Sequence, residues 1–458
     1  MRLTDKIVAR RRATVDAVVQ APSPLQPIDL TDDAAVTEVL DLAQRVGQVV
    51  LAAGTAVTDT TTQIQFIAST YGLTQCDIDV TYDSIRISAD RGPSLPPAST
   101  MRVVRYRSLD FTRLSQVDRL TRRIRREVPP PRQAHADLDA ITSAPHPYHR
   151  WIATFGWSLL AAAISLLLGG GALVAVISFA TTLLIDRCNR LLNRRGLPFF
   201  FQNMVGGLIA TVPAILMQTF AHGIETNPTL IVAAGITVLL SGIQLVGAVE
   251  DAITGAPITA GARMLEVVVM TGAIIAGVAI ALRGAQALGA AMPAINISAS
   301  TDITTLPLKL VAGALASMAF ALACYAERRA LLAAAISGAA ITACFLLVQH
   351  SGFGPVLAAA VAATAVGLAG GLLARRALTP PLVIAVAGIT PMLPGLSVYR
   401  GLDALLNNNM LFGLNQMLAA LMIGCALGGG ITLGEWIARW LRQPRILLRV
   451  TGVRPEKL

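Results

Sequence analysis

Charge is scarce in this sequence. Of 458 residues only 14% are Asp, Glu, Lys or Arg, against 54% hydrophobic, and the mean hydropathy is +0.62. A water-solvated globule of ordinary make-up is excluded, and the chain reads as an integral membrane protein. Cysteine is sparse as well: Cys76, Cys188, Cys324, Cys344 and Cys425 show no CxxC and no paired spacing, so neither a zinc site nor a disulfide framework is signalled. They read as small apolar fillers. No GxxxxGK[ST] occurs, which excludes an ATP-driven pump of that type. No HExxH or GxSxG occurs either, and the histidines in the apolar region, His222 and His350, stand alone, so a membrane-embedded hydrolase lacks its machinery. No cofactor or metal is called for.

What charge there is falls unevenly. Residues 1–150 read like a soluble polypeptide, whereas from Trp151 onward acids are few and long apolar runs recur. The net charge of +10 does not mark a nucleic-acid binder, because the later arginines lie in short clusters between apolar runs, the pattern that orientation signals produce. The beginning, MRLTDKIVARRRATVDAVVQA, has no apolar core or small-residue cleavage site, so a cleaved secretion signal is not expected. The first domain is expected to stay cytoplasmic.

Within that domain, Val36, Val39, Leu40, Ala43, Val46 and Val50 recur at helical spacing between Asp33 and Gly54, with Thr31 or Asp32 as N-cap. A second helix is predicted from Thr58 to Tyr71. CDIDVTY and SIRISA alternate around an Asp83-Ser84 turn, and MRVVRYRS reads as a third strand. From Thr112 a helix returns whose arginines (Arg119, Arg122, Arg123, Arg125, Arg126) suit either an anionic lipid surface or a solvated face. His135, His146 and His149 are too irregular for a metal site. The prolines at 129–131 mark a stiff connection onward.

A span needs about 20 apolar residues. That ruler predicts ten helices, near 152–168, 170–186, 199–220, 229–249, 261–282, 305–325, 330–349, 354–374, 380–398 and 411–435. The basic clusters DRCNRLLNRRG, Arg328-Arg329, Arg375-Arg376 and RWLRQPRILLR then share one side, so both termini are expected in the cytoplasm. The expected fold is an α-helical polytopic membrane protein: a tail (1–30), a small cytoplasmic α+β domain with linker (31–148), two five-helix membrane repeats (149–285 and 300–440) and a cytoplasmic tail (441–458).

Five is odd, so a second set of five enters from the opposite side and the repeats would be inverted. GARMLEVVVMTGAIIAG and GLNQMLAALMIGCALGG share Gly261 with Gly413, Met270 with Met422 and Gly272 with Gly424. Just before each lies a break, QLVGAVEDAITGAP and MLPGLSVYRGLDALL, which this reading aligns at Gly247 and Gly395. Pro and Gly within a span are tolerated where the freed backbone groups line an enclosed cavity, and inverted-repeat transporters place substrate there. For Pro391 alone, a plain kink is the simpler account.

At these residues the chain resembles the threonine/serine exporter family, through LAQRVGQVVLAAGTAV, CDIDVTYDSIRIS, DRCNRLLNRRGLPFFFQNMVGGLIAT, QLVGAVEDAITGAPITAGARMLE and PMLPGLSVYRGLDALL. The resemblance implies a multi-pass cytoplasmic-membrane exporter of small hydroxylated amino acids, driven by the proton-motive force. Partners would be threonine, serine, protons and the bilayer, with homo-oligomerisation left open. A passive channel, or export of another small polar metabolite, is the alternative. A zwitterion needs groups for its carboxylate and ammonium. The candidates are Gln202, Asn203, Gln244, Gly247 and Asp251, then Pro394, Gly395, Arg400, Asn415 and Gln416. Ionisable residues within spans are costly, so Glu266 first, then Glu250 and Asp403, are candidate proton carriers. Competing accounts are an Arg263–Glu266 pair, and Glu250 and Asp251 simply solvated at the cytoplasmic mouth.

Overall fold

The computed structural model describes residues 28–105, 109–220, 227–240, 242–289, 305–377 and 381–442. Most of both expected tails and His222 lie outside these residues.

Two helices open the chain, α1 (Asp33–Ala52) and α2 (Val57–Thr70). Asp32 caps α1, accepting the Ala34 N–H at 2.9 Å, and the predicted apolar stripe from Val36 to Val50 is buried. Strands β1 (Cys76–Val80), β2 (Ser84–Ala89) and β3 (Ala98–Val103) form an antiparallel sheet in that order. The third strand starts earlier than the MRVVRYRS reading and stops at Val103, because β2 holds it in register from Ala89 opposite Ala98 to Ser84 opposite Val103. The Gln44 side-chain amide donates to the Ile85 carbonyl at 3.2 Å, pinning α1 on the sheet. Then come α3 (Phe111–Glu127), capped by Asp110, and α4 (Pro131–Ser143).

The membrane-type helices follow: α5 (Arg150–Leu167), α6 (Ala172–Arg194), α7 (Phe199–Phe220), α8 (Thr229–Leu239), α9 (Gly242–Ile253) and α10 (Pro257–Ala287). After them come α11 (Leu306–Ala323), α12 (Arg328–His350), α13 (Pro355–Ala377), α14 (Pro381–Ile389), a 3-10 turn (Thr390–Met392), α15 (Gly395–Leu406) and α16 (Met410–Arg442). Among the described residues nine segments are long and apolar enough to cross a membrane, and a tenth is the α8–α9 pair, bent by 51°. The protein is a polytopic helical membrane protein with a small α+β unit at its start.

Helix α6 runs on to Arg194, past the expected end at residue 186, so part of the predicted basic loop is helical. Asp186 and Arg190 form an i,i+4 pair at 2.9 Å that supports the extension. Small residues bring helix backbones together where no hydrophobic drive separates helix from lipid. A Cβ on Gly156 of α5 would stand 2.7 Å from the Ala323 nitrogen of α11, and one on Gly430 of α16 would stand 2.6 Å from the Ala360 carbonyl of α13.

The α+β unit is docked on this bundle. Its core is continuous with Leu160, Phe320, Cys324 and Ala330 of the membrane helices. The Phe111 N–H donates to the Cys324 carbonyl at 3.0 Å, and Arg119 pairs with Glu327 at the head of α12. Of the other α3 arginines, Arg122 pairs with Asp118 at 2.6 Å and Arg123 with Glu127 and Asp137. These arginines are engaged in ion pairs within the unit and with the bundle.

Candidate functional site

Two spans are interrupted midway, and they are interrupted alike. Helix α8 ends at Leu240 with φ −63° and ψ 132°; the 3-10 turn after α14 ends at Leu393 with φ −60° and ψ 137°. Each extended residue is followed, two positions on, by the glycine that starts a 12-residue helix, Gly242 for α9 and Gly395 for α15. The tetrapeptide AGIT precedes both, as Ala234–Thr237 and Ala387–Thr390. In both copies the threonine hydroxyl donates back to its own helix, to Ala233 O at 2.8 Å and Val386 O at 2.9 Å.

The two breaks touch. A Cβ on Gly242 would stand 2.6 Å from Leu393 Cδ1, and one on Gly395 would overlap the Thr237 hydroxyl and stand 2.9 Å from the Ala233 carbonyl. The start of each distal half-helix is therefore packed against the end of the other proximal one. The counterpart of Gly395 is Gly242, not Gly247 as the sequence alignment had it. Gly247 sits a turn and a half into α9, where an added Cβ would run into the Arg263 guanidinium and stand 3.6 Å from the Gly54 carbonyl. The repeated AGIT was the signal that would have set the register; glycine matching alone misled, since apolar spans are full of glycine.

Among the described residues, polar side chains near the crossing are few. Gln244, in the first turn of α9, has a buried Oε1 that no donor among the described residues reaches. The first turn of α15 has no side-chain cap, its N-cap being Pro394. Arg400 and Asp403 follow on α15, both partly buried. Helix-end N–H and C=O groups here are the backbone groups that a break leaves without intrahelical partners.

The far end of α9 meets the α+β unit. Asp251 is fully buried, and its Oδ1 accepts the Val57 N–H at 2.8 Å while its Oδ2 faces Arg263 Nε at 3.2 Å. Arg263, 1% exposed, also donates to the Thr55 carbonyl at 2.9 Å. The Tyr82 hydroxyl donates to Glu266 at 2.8 Å. Glu250 and Asp251 are thus not solvated: Glu250 is 8% exposed, and its carboxylate converges with those of Asp59 and Glu435, their oxygens within 4.8 Å of one another. Burial holds the Asp59 carboxyl above the usual carboxylate range, and Arg439 pulls it partly back.

Other candidates lie apart. The buried Gln202 amide donates to the Leu197 carbonyl at 2.7 Å, closing the α6–α7 turn, and Asn203 donates to Met270 Sδ at 3.1 Å. On α16, Asn415 is exposed and Gln416 partly so. Asp59, Tyr82, Thr237 and Glu435 enter the picture only through the structure, and Arg263, expected beside Glu266, pairs with Asp251 while Glu266 accepts from Tyr82.

A family model described as "Putative threonine/serine exporter" matches residues 41–284, and one described as "Threonine/Serine exporter, ThrE" matches residues 309–437. The chain belongs to the threonine/serine exporter family. It is 43% identical over 439 residues to a "Threonine/serine exporter" of Corynebacterium glutamicum, covering 95% of this chain and 90% of that protein. It is 40% identical over 418 residues to a "Probable threonine/serine exporter" of Mycobacterium tuberculosis (strain ATCC 25618 / H37Rv), covering 90% and 78%. No solved structure matches it. Membership of the exporter family places the protein among transporters, not enzymes.

Proposed function

We propose that this protein exports threonine and serine across the cytoplasmic membrane, that the substrate binds where the two broken spans cross, and that protons drive the export. The observation that carries the reading is the reciprocal packing of Gly395 on Thr237 and Gly242 on Leu393. At such a crossing the N-terminal amides of α9 and α15 offer donors, and partial positive charge, to a carboxylate. The closing carbonyls of α8 and of the 3-10 turn, with Gln244 Oε1, offer acceptors to an ammonium or a hydroxyl. A small hydroxylated zwitterion matches both.

The two series α5–α10 and α11–α16 repeat the same plan: three spans, one broken span, then a long last helix of 31 or 33 residues. The boundary between the two family matches falls between them. We read them as inverted five-span repeats, with the α+β unit (31–148) and both termini in the cytoplasm, following the basic clusters. Glu250 and Asp403 occupy matching positions two turns or more beyond the breaks. Asp403, on the half-helix that leads away from the α+β unit, is the acid assigned to proton transfer, while Glu266 is taken up by its contact with Tyr82.

Proteoliposomes containing the purified protein test this. An imposed pH gradient should drive labelled threonine and serine, an uncoupler should abolish the drive, and preloaded unlabelled threonine should accelerate labelled uptake by counterflow. Flux that ignores the gradient would remove the proton coupling. Flux without counterflow would make the protein a channel, and no flux of either amino acid would remove the substrate.

A further inference from the structure

We infer that Asp59, Glu250 and Glu435 form a binding site for one hard divalent cation, magnesium or calcium, which fastens the α+β unit to the membrane helices. The three carboxylates come from three separate elements: Asp59 from the first turn of α2, Glu250 from the last turns of α9, and Glu435 from α16. Their oxygens lie within 4.8 Å of one another. Oxygens about 2.4 Å from a calcium ion, or about 2.1 Å from magnesium, lie no farther apart than that across the ion.

A second observation makes this more than a patch of acids. Glu250 is more than nine-tenths buried, its carboxylate points into the group, and among the described residues no hydrogen-bond donor reaches it. A buried carboxylate without a donor is strongly disfavoured unless a cation compensates it. The Arg263 guanidinium also pairs with Asp251 and donates to the Thr55 carbonyl, so its single positive charge cannot balance Asp251 and the three carboxylates together. Arg439, one turn further along α16, lies 4.0 Å from Glu435 and is itself about half exposed.

The donor set decides which cation. With oxygen ligands alone and neither His nor Cys in the group, hard ions are favoured over zinc or copper. An amino acid's ammonium fits poorly, since the carboxylate that accompanies it would face three acids. The site stands at the junction of unit and bundle, away from the crossing of the breaks, and the inference goes beyond the transport reading and does not depend on it.

The test uses the full-length protein in detergent, stripped with EDTA and titrated with Mn2+ followed by electron paramagnetic resonance. One Mn2+ per chain should bind saturably, Mg2+ or Ca2+ should displace it, and divalent ions should raise the melting temperature. Glu250→Gln and Glu435→Gln should each weaken Mn2+ binding about tenfold or more and abolish the divalent-induced rise. Both variants should melt at or above the EDTA-stripped wild type, because each removes a buried like charge, so loss of binding cannot be ascribed to misfolding. Glu266→Gln, which leaves the three carboxylates in place, should bind Mn2+ as the wild type does. Absence of saturable Mn2+ binding, binding that survives Glu250→Gln with Glu435→Gln, or competitive displacement of Mn2+ by threonine would each overturn the inference.

Discussion

The Asp251 carboxylate accepts the backbone N–H of Val57 at 2.8 Å, so a residue at the end of a broken membrane span caps a helix that begins 194 positions earlier in the chain. Helix α2 has no side-chain cap of its own. The same carboxylate is the partner of Arg263, and both side chains are almost wholly buried, 0% and 1% exposed. Breaking such a pair from one side leaves a buried charge alone, a loss of about 3 to 5 kcal/mol. Asp251→Ala should therefore lower the melting temperature of the detergent-solubilised protein sharply. Replacing both residues, Asp251→Ala with Arg263→Met, should recover much of the loss, and a double variant as unstable as the single one would refute the pairing.

Much of this architecture was legible because the bilayer imposes a length on apolar runs and the soluble unit obeys helix and strand periods. The predicted span 199–220 and the strand SIRISA return with their boundaries unchanged. The second break was legible too, in Pro391, Pro394 and Gly395, whereas the first lies at Leu240 to Gly242, just ahead of the QLVGAVEDAITGAP stretch to which the sequence pointed. What failed was pairing at a distance. Gly247 looked like the partner of Gly395 because glycine is common in tightly packed spans, and Glu250 and Asp251 looked solvated because nothing local shows that Asp59, Val57 and Glu435 converge on them. Those contacts join three stretches of chain whose meeting depends on how the unit docks.

The crossing predicts a graded response to added methyl groups. A Cβ at residue 395 would overlap the Thr237 hydroxyl, and one at residue 242 would meet Leu393 Cδ1 at 2.6 Å. Overpacking of this kind costs about 1 to 3 kcal/mol. The leucine side chain at 393 can turn aside, whereas the Ala233 carbonyl, 2.9 Å from the position of the new Cβ at 395, belongs to a helix backbone. Gly395→Ala should abolish threonine flux in proteoliposomes and Gly242→Ala should only reduce it, both with normal membrane insertion.

Asp118 on α3 supplies a pH dependence. Burial pushes its carboxyl above the ordinary value, with Arg122 and Arg119 pulling it partly back. The folded state therefore keeps this proton over a range in which the unfolded chain has lost it. Its contribution to stability falls as pH rises from the unfolded value, about 3.9, through the raised folded one, and the penalty is complete above that. Asp118→Asn should melt higher than the wild type at pH 7, and the difference should shrink as pH falls and the wild-type carboxyl is protonated. A constant difference across that range would show that charge is not its cause.

Gln244 separates a binding role from a packing role. Its buried Oε1 has no donor among the described residues, and an unsatisfied buried acceptor costs about 1 to 3 kcal/mol. A group kept in that condition purely for structure would be improved by an apolar residue of similar size. Gln244→Leu should thus melt at least as high as the wild type. If the acceptor is reserved for the ammonium or hydroxyl of a bound amino acid, the same variant should lose threonine and serine counterflow. Raised stability with lost transport identifies the crossing as the binding place, whereas undiminished counterflow would move the substrate elsewhere.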